Sequence, residues 1–362
     1  MSQNINRPNI NRPRNTERPR RSANSGMNMA LPTAALILGS VLPSALSSAP
    51  AGPGSGPVVT VEKTAKPKPS KAAPPKEFSI PMKNLTDWAK TVVVTVDSVS
   101  VEGHSKVHPI ASDCELHFGG HSPNFQGDPD GLVLEPMNVC VQAFPGQTEP
   151  NKADWVKFSN QITGTVVTVS GVPRIWPEHL SGGNEPSNPN HAVEIHPLTF
   201  VKAGGQTFDF TPNVFAGEYE GGVGEPTALK IAEKTSVAVS RVGNSAEVSF
   251  KAGTIGNFTV LDLVIDRDSI TSDGAGSFRM SGDVVIDDET SAPVRVVTIK
   301  GSPINADIEK IKSKKRKNVS MHVLVLFSLS PEALLEAANQ SNGNPVAVDT
   351  PIQLILYGPP DA

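Results

Sequence analysis

The sequence predicts an all-β protein: two β-domains behind a disordered N-terminal tail and linker. Three observations carry that expectation. Turn formers are abundant, with 33 Pro and 30 Gly among 362 residues. Apolar residues recur with a period of two in short runs bounded by Gly, Asn, Asp and Pro, as half-buried strands require. Helical periodicity survives at only a few places. With 38% hydrophobic and 19% charged residues, the composition excludes a polytopic membrane protein, a long coiled coil and a chain disordered throughout. Two cysteines exclude a disulfide-stapled scaffold and a four-cysteine zinc module.

Residues 1–51 read as a basic tail followed by a signal-like segment. Six Arg, including Arg18, Arg20 and Arg21, lie among Asn, Pro and Ser with no hydrophobic period. The uncharged run Met29–Leu46 comes next, and small residues close it, with Ala49-Pro50-Ala51 in A-x-A form. Basic, apolar, then small is the order of a secretory signal peptide. Pro32 and Pro43 make the run a poor spanning helix, and an uncut membrane tether through residues 29–46 is the alternative. The Arg20-Arg21 pair hints at twin-arginine export. An exported protein, periplasmic, envelope-associated or extracellular and of bacterial type, is the expectation. Residues 52–80, Pro-rich and studded with Lys, read as a semi-extended linker.

Charge separates these parts. Residues 1–77 carry 11 Lys/Arg against 3 Asp/Glu, residues 78–205 carry 7 against 13, and residues 206–362 carry 14 against 20. The basic excess lies in the tail, and both expected folded regions are acidic. Nucleic-acid affinity rests largely on Lys and Arg neutralising phosphates, so the charge balance argues against nucleic acid as a partner of either domain.

The first domain is expected over residues 81–205. Thr91–Val101 alternates as a half-buried strand. Asp113–Phe118 alternates cleanly, with Cys114, Leu116 and Phe118 facing in and Asp113, Glu115 and His117 facing out. A Gly/Asn/Asp/Pro turn leads to Gly131-Leu-Val-Leu-Glu-Pro136. Trp155, Val156 and Phe158 predict a helix over Lys152–Gln161. Thr163–Val172 and His191–Val201 complete the set. Three strands, a helix and two strands is the order of an OB-fold, a small five-stranded barrel. The Asp-Cys-Glu-Leu-His-Phe strand, the Gly-Leu-Val-Leu-Glu-Pro run and the Val-Ser-Gly-Val-Pro-Arg … Ala-Val-Glu-Ile-His-Pro-Leu-Thr pair resemble bacterial OB-fold-type domains. The likeness covers about a third of the chain. That family is mostly uncharacterised, so the resemblance implies a fold and little function.

Seven of the eight His fall in this domain. His104/His108 and His117/His121 are spaced i, i+4, which on a helix would bring two imidazoles to one metal. Gly119-Gly120 and the strand context exclude that helix. Candidate binding residues are Glu115, His117 and His121, and Glu194 with His196, which share one face of a strand. Asp113 belongs to the same mixed carboxylate/imidazole set. Exposed or hydrogen-bonded barrel residues are the plainer reading of all of them. Cys114 and Cys140 can close a disulfide in an oxidising compartment; as free thiols they are small buried apolar residues. No outward-facing aromatic ladder accompanies the barrel strands, which again argues against single-stranded nucleic acid.

The second domain, residues 206–362, is expected to be sandwich-like or barrel-like. Its strands are Thr235–Val242, Ala246–Phe250, Phe258–Ile265, Ser277–Ile286, Val294–Lys300, Ser320–Leu329 and Ile352–Tyr357, at sandwich-like spacing. Pro331–Gln340 is the clearest helix, capped by Ser330 and opened by proline. Ile304–Ile311 is a shorter one. Lys312–Lys317 reads as a charged loop guarding a sheet edge, with a partner-binding patch as the alternative. Glu218–Gly224 lacks the Gly-Lys-Ser/Thr end of a phosphate loop and reads as linker.

No catalytic grouping assembles from the sequence. The expectation is an exported, non-enzymatic binding protein of the cell envelope, with a protein or small-molecule ligand and no cofactor. A metal-dependent hydrolase using the His/Asp/Glu face is the rival, with a divalent metal as its cofactor. A structural or assembly component of an envelope complex is a second rival.

Overall fold

The computed structural model describes residues 75–107, 114–125, 131–136, 139–180, 185–213, 224–286 and 289–358. The basic tail, the signal-like segment at 29–46 and nearly all of the linker lie outside these residues. So do His108, Asp113 and residues 218–223. Among the described residues no helix is long and apolar enough to cross a membrane.

The described chain begins with β1 (Lys76–Pro81) and α1 (Met82–Lys90). Strand β1 thus occupies the end of the stretch expected as linker. A barrel follows, made of β2 (Val94–His104), β3 (Phe118–His121), β4 (Leu132–Leu134), α2 (Lys152–Ile162), β5 (Val166–Ile175) and β6 (Val193–Ala203), with β7 (Gln206–Asp209) added to β6. Antiparallel pairings join β2 to β3, β3 to β4, β5 to β6 and β2 to β5. One parallel pairing, Val133 opposite Glu194, ties β4 to β6 and closes the sheet on itself. The order β2-β3-β4-β6-β5 with a helix between the third and fourth strands is that of an OB-fold-like barrel.

Local chemistry explains the helix. Asn151 caps α2 by accepting from Ala153 N at 3.0 Å. Trp155, Phe158 and Ile162 then recur on one face and are buried, whereas Val156 is exposed. That face closes one end of the barrel with an aromatic cluster: the Trp155 ring lies 5.2 Å from Phe210, and Phe158 lies 4.9 Å from Phe208. Aromatic pairs at such distances add to the energy of burial alone. Gly120 in β3 is required by close approach, because a Cβ there would run into the backbone oxygen of Ser100.

After α3 (Glu225–Lys234) and the hairpin β8 (Ser236–Val242) and β9 (Ser245–Lys251), the chain builds a second barrel. Its elements are β10 (Phe258–Asp266), β11 (Thr271–Ser272), β12 (Phe278–Ile286), β13 (Glu289–Val297), α4 (Pro303–Lys312), β14 (Asn318–Leu329), α5 (Pro331–Gln340), β15 (Val346–Ala347) and β16 (Ile352–Gly358). Here β10 pairs with β12 and β14, β12 with β13, and β14 with β16, all antiparallel. A parallel pairing, Arg295 opposite Gln353, joins β13 to β16. The second half is therefore a closed five-stranded barrel rather than a sandwich, with α4 between its third and fourth strands. Both barrels share one connectivity.

A small antiparallel sheet in the order β1-β9-β8-β15 completes the fold, and α5 contacts it as well as α1. Ser330 caps α5, accepting from Ala333 N at 3.3 Å. The two barrels meet directly. Val92 and Val172 are buried with Phe258, Val297, Leu324, Leu326, Ile355 and Tyr357, and Ile175 N donates to Ser328 Oγ at 3.1 Å. Residues 318–323 of β14 pair only with β10 and leave their other side unpaired by β16. The run at residues 312–317 precedes that open side, as an edge-guarding loop would.

Candidate functional site

Strand alternation places the site. In the lead-in to β3, Cys114, Leu116 and Phe118 enter the barrel core, so Glu115 and His117 project from its outer face. After β4, Leu132 and Leu134 face in, which sends Glu135 out. In β6, Val193 and Ile195 face in, and Glu194 and His196 face out. In β5 the same logic turns Arg174 outward. The four segments adjoin in the closed barrel, so their outward charges converge.

These side chains are not in solvent, contrary to the expectation for Glu115 and His117. Glu115, His117, Glu135, Arg174, Glu194 and His196 are between 1% and 6% exposed. The turn at Pro177–His179 lies beside them, and Asn257 and Phe327 come from the second barrel. Alternation read the direction correctly; the cover came from another part of the chain. His121 is not brought to the group. It is exposed and pairs with Glu102 at 3.1 Å.

The cluster is a continuous chain of contacts centred on Glu135. His117 Nε2 lies 3.0 Å from Glu135 Oε1 and 3.8 Å from Glu115 Oε2. On the other side His196 Nδ1 lies 2.9 Å from Glu135 Oε2 and 3.3 Å from Glu194 Oε1. Arg174 pairs with Glu194 through Nη1, and donates from Nε to Phe327 O at 2.7 Å and from Nη2 to Asn257 Oδ1 at 2.6 Å. His191 Nε2 contacts Glu194 Oε2 at 3.2 Å, and its Nδ1 contacts Pro189 O at 2.7 Å. His179 stacks on His191 with ring centroids 5.1 Å apart. Of the titratable groups here, only His179 and its neighbour Glu178 are partly exposed.

Burial and charge set the protonation states. Burial disfavours any charge here, and for Glu115 it acts together with nearby Glu135 to hold the carboxyl well above its ordinary range. For Glu135, burial is outweighed by His196 and His117, which keep it ionised. Glu194 is likewise held low, against burial, chiefly by Arg174. For His117, burial is overcome by Glu135 and Glu115 and the pKa rises well above the usual imidazole value. His196 is raised to about 9, with Glu135 and then Glu194 outweighing burial. His179 is lowered to about 4, mainly by burial.

Two triads in this cluster have donor atoms close enough to share an ion: Glu115/His117/Glu135 and Glu135/Glu194/His196. Beside them, Cys114 and Cys140 form a disulfide with Cα atoms 5.9 Å apart. Sequence reasoning missed Glu135, Arg174 and His191 as members. A signal existed for the first two: each is a single charge inside an otherwise apolar strand run, Leu132-Val-Leu-Glu135 and Val172-Pro-Arg-Ile-Trp176.

A second feature lies on the second barrel. The outward residues Thr271, Arg279, Ser281, Arg295 and Gln353 share the face of β11, β12, β13 and β16, as the pairings Thr271–Arg279, Ser281–Arg295 and Arg295–Gln353 require. With Glu332 of α5 they line an open cleft of about 370 Å³. Arg295 pairs with Glu332 at 2.7 Å, and Arg279 donates to Ala89 O at 2.5 Å. The Nε–H groups of both arginines are buried and lack a partner among the described residues. No protein family and no curated protein matches this sequence.

Proposed function

We propose that this chain is an exported, non-enzymatic binding protein of the cell envelope, and that it takes a small anionic ligand in the cleft of its second barrel. The observation that carries this reading is a contrast in access. The carboxylate and imidazole groups a hydrolase would use are sealed, with Glu135 3% and His196 1% exposed. The open cleft is lined by two arginines, Arg279 and Arg295, together with Ser, Thr and Gln side chains. Arginine forks suit carboxylates and phosphates, and the corresponding face of OB-fold barrels is a common ligand platform. Among the described residues the cleft lining holds no aromatic side chain, the stacking surface on which single-stranded nucleic acid is usually held.

The basic, apolar, small-residue order of residues 1–51 supports the export part of this reading. Titration of the full chain with a uronic-acid oligosaccharide, an inorganic phosphate series and an oligo-dT control tests the proposal. Binding of one of the first two, weakened at least about tenfold in Arg279→Gln and Arg295→Gln, is the expected outcome, since a charge-assisted hydrogen bond is worth about 1.5–3 kcal/mol. Salt-sensitive binding of oligo-dT alone, unaffected by these substitutions, would replace this reading with a nucleic-acid one.

A further inference from the structure

Three buried carboxylates, Glu115, Glu135 and Glu194, stand against one permanently charged buried group, Arg174. Buried charges are costly unless paired or bound to a metal. Arg174 is committed to Glu194, Asn257 and Phe327. It therefore answers the charge at the Glu194 end of the chain of contacts; at the Glu135 end the imidazoles of His117 and His196 play that part, and a cation at His117 Nε2 would take the place of the proton there.

From this geometry we infer that Glu115, His117 and Glu135 form a structural binding site for one divalent transition-metal ion, with Zn²⁺ the best fit. One imidazole nitrogen and two carboxylate oxygens form a donor set that borderline ions such as Zn²⁺ accept. For metal–donor distances of about 2.1 Å, a tetrahedral site places its donors about 3.4 Å apart. His117 Nε2 lies 3.0 Å from Glu135 Oε1 and 3.8 Å from Glu115 Oε2, which brackets that value.

The supporting shell is built as well. Glu135 turns Oε1 to the site and keeps Oε2 on His196 at 2.9 Å, the kind of outer hydrogen bond that fixes a ligating carboxylate. The His117 backbone is clamped from both sides: its N–H donates to Ser105 Oγ at 3.0 Å, and its carbonyl accepts from Ser105 N at 2.9 Å. Glu115 follows a cysteine anchored by the disulfide to Cys140. The neighbouring triad of Glu135, Glu194 and His196 is the poorer site, because the Arg174 guanidinium already occupies Glu194 Oε1.

Such an ion joins the lead-in of β3 to the end of β4, so its role is to lock the barrel wall. This site is independent of the cleft, and either proposal can fail without the other. The test uses the untagged full chain, stripped with EDTA and dipicolinate and then titrated with Co²⁺ and Zn²⁺. The expected result is one Co²⁺ per chain with a visible tetrahedral absorption band, displaced by Zn²⁺, and a rise of about 5 °C or more in thermal midpoint with Zn²⁺. Glu115→Gln and His117→Gln should weaken metal affinity at least about tenfold, whereas His121→Gln and His104→Gln leave it unchanged.

If the first two variants do not fold, X-ray absorption on the Zn²⁺-loaded wild-type chain decides. A shell of one imidazole and carboxylate oxygens at about 2.0–2.1 Å supports the site. A multi-imidazole or sulfur shell, binding that persists in Glu115→Gln and His117→Gln, or no band and no thermal shift would each overturn it.

Discussion

Replacing Arg174 by Met removes a buried cation while nearly preserving side-chain volume, and it tests whether the cluster holds the two barrels together. Three polar partners are lost at once: the Glu194 carboxylate, Asn257 Oδ1 and the Phe327 carbonyl, the last two from the second barrel. The guanidinium also lies 5.8 Å from the Trp176 ring centroid. The dominant cost is not the lost contacts but the charge left behind. Among the described residues Glu194, 2% exposed, would keep ion-pair partners only in His191 and His196. Breaking one side of a buried pair in this way costs about 3–5 kcal/mol. The double variant Arg174→Met/Glu194→Gln removes both charges and should recover a large part of that loss, since apolar or neutral replacements of whole buried pairs are often close to neutral. Urea unfolding followed by far-UV circular dichroism and by tryptophan fluorescence measures both effects, the latter because Trp155 and Trp176 are buried. A midpoint for Arg174→Met within about 1 kcal/mol of wild type, or a double variant as unstable as the sum of the single ones, would refute the argument.

Two further outcomes follow from the same region. In chelator-treated protein His196 titrates at about 9, above the ordinary imidazole value; its stabilising contribution is complete below about pH 6.5 and lost as pH rises through about 9, by up to about 3 kcal/mol. Urea midpoints between about pH 6 and 10 should show that fall for wild type and a flatter profile for His196→Gln; a flat wild-type profile contradicts the assigned contacts. The Cys114–Cys140 disulfide spans 26 residues of sequence separation, and on chain-entropy grounds its loss costs about 3–4 kcal/mol. Reduction, or the Cys114→Ser/Cys140→Ser variant, should lower the thermal midpoint accordingly, with identical midpoints for oxidised and reduced protein as the contrary result.

Much of the fold was legible because period-two alternation is a local property. It showed the direction of every side chain in residues 114–118 and the shared face of Glu194 and His196. Helices α2 and α5 were legible too, α2 from the apolar spacing of Trp155 and Phe158 and α5 from its cap Ser330, which sits beside the residues it caps. Helix α1 and the small sheet were not, because β1 finds its partner in β9, far along the chain. Barrel closure was hidden for the same reason: it depends on the parallel pairings of β4 with β6 and β13 with β16. A periodic strand looks alike in a sandwich and a barrel.

Local sequence was thus enough to specify an all-β chain, an OB-fold-like order of elements in its first half and a basic N-terminal region ahead of acidic ones. It also named most of the residues able to bind a metal. Which of those residues meet was settled by long-range packing. Glu135 and Arg174 join Glu115, His117, Glu194 and His196, while His121 stays in solvent on Glu102. Alternation fixes which side of a strand a group leaves from, but burial depends on what packs over that side. Here the second barrel brings Asn257 and Phe327 to the site, turning an outward, polar face into a sealed charged one.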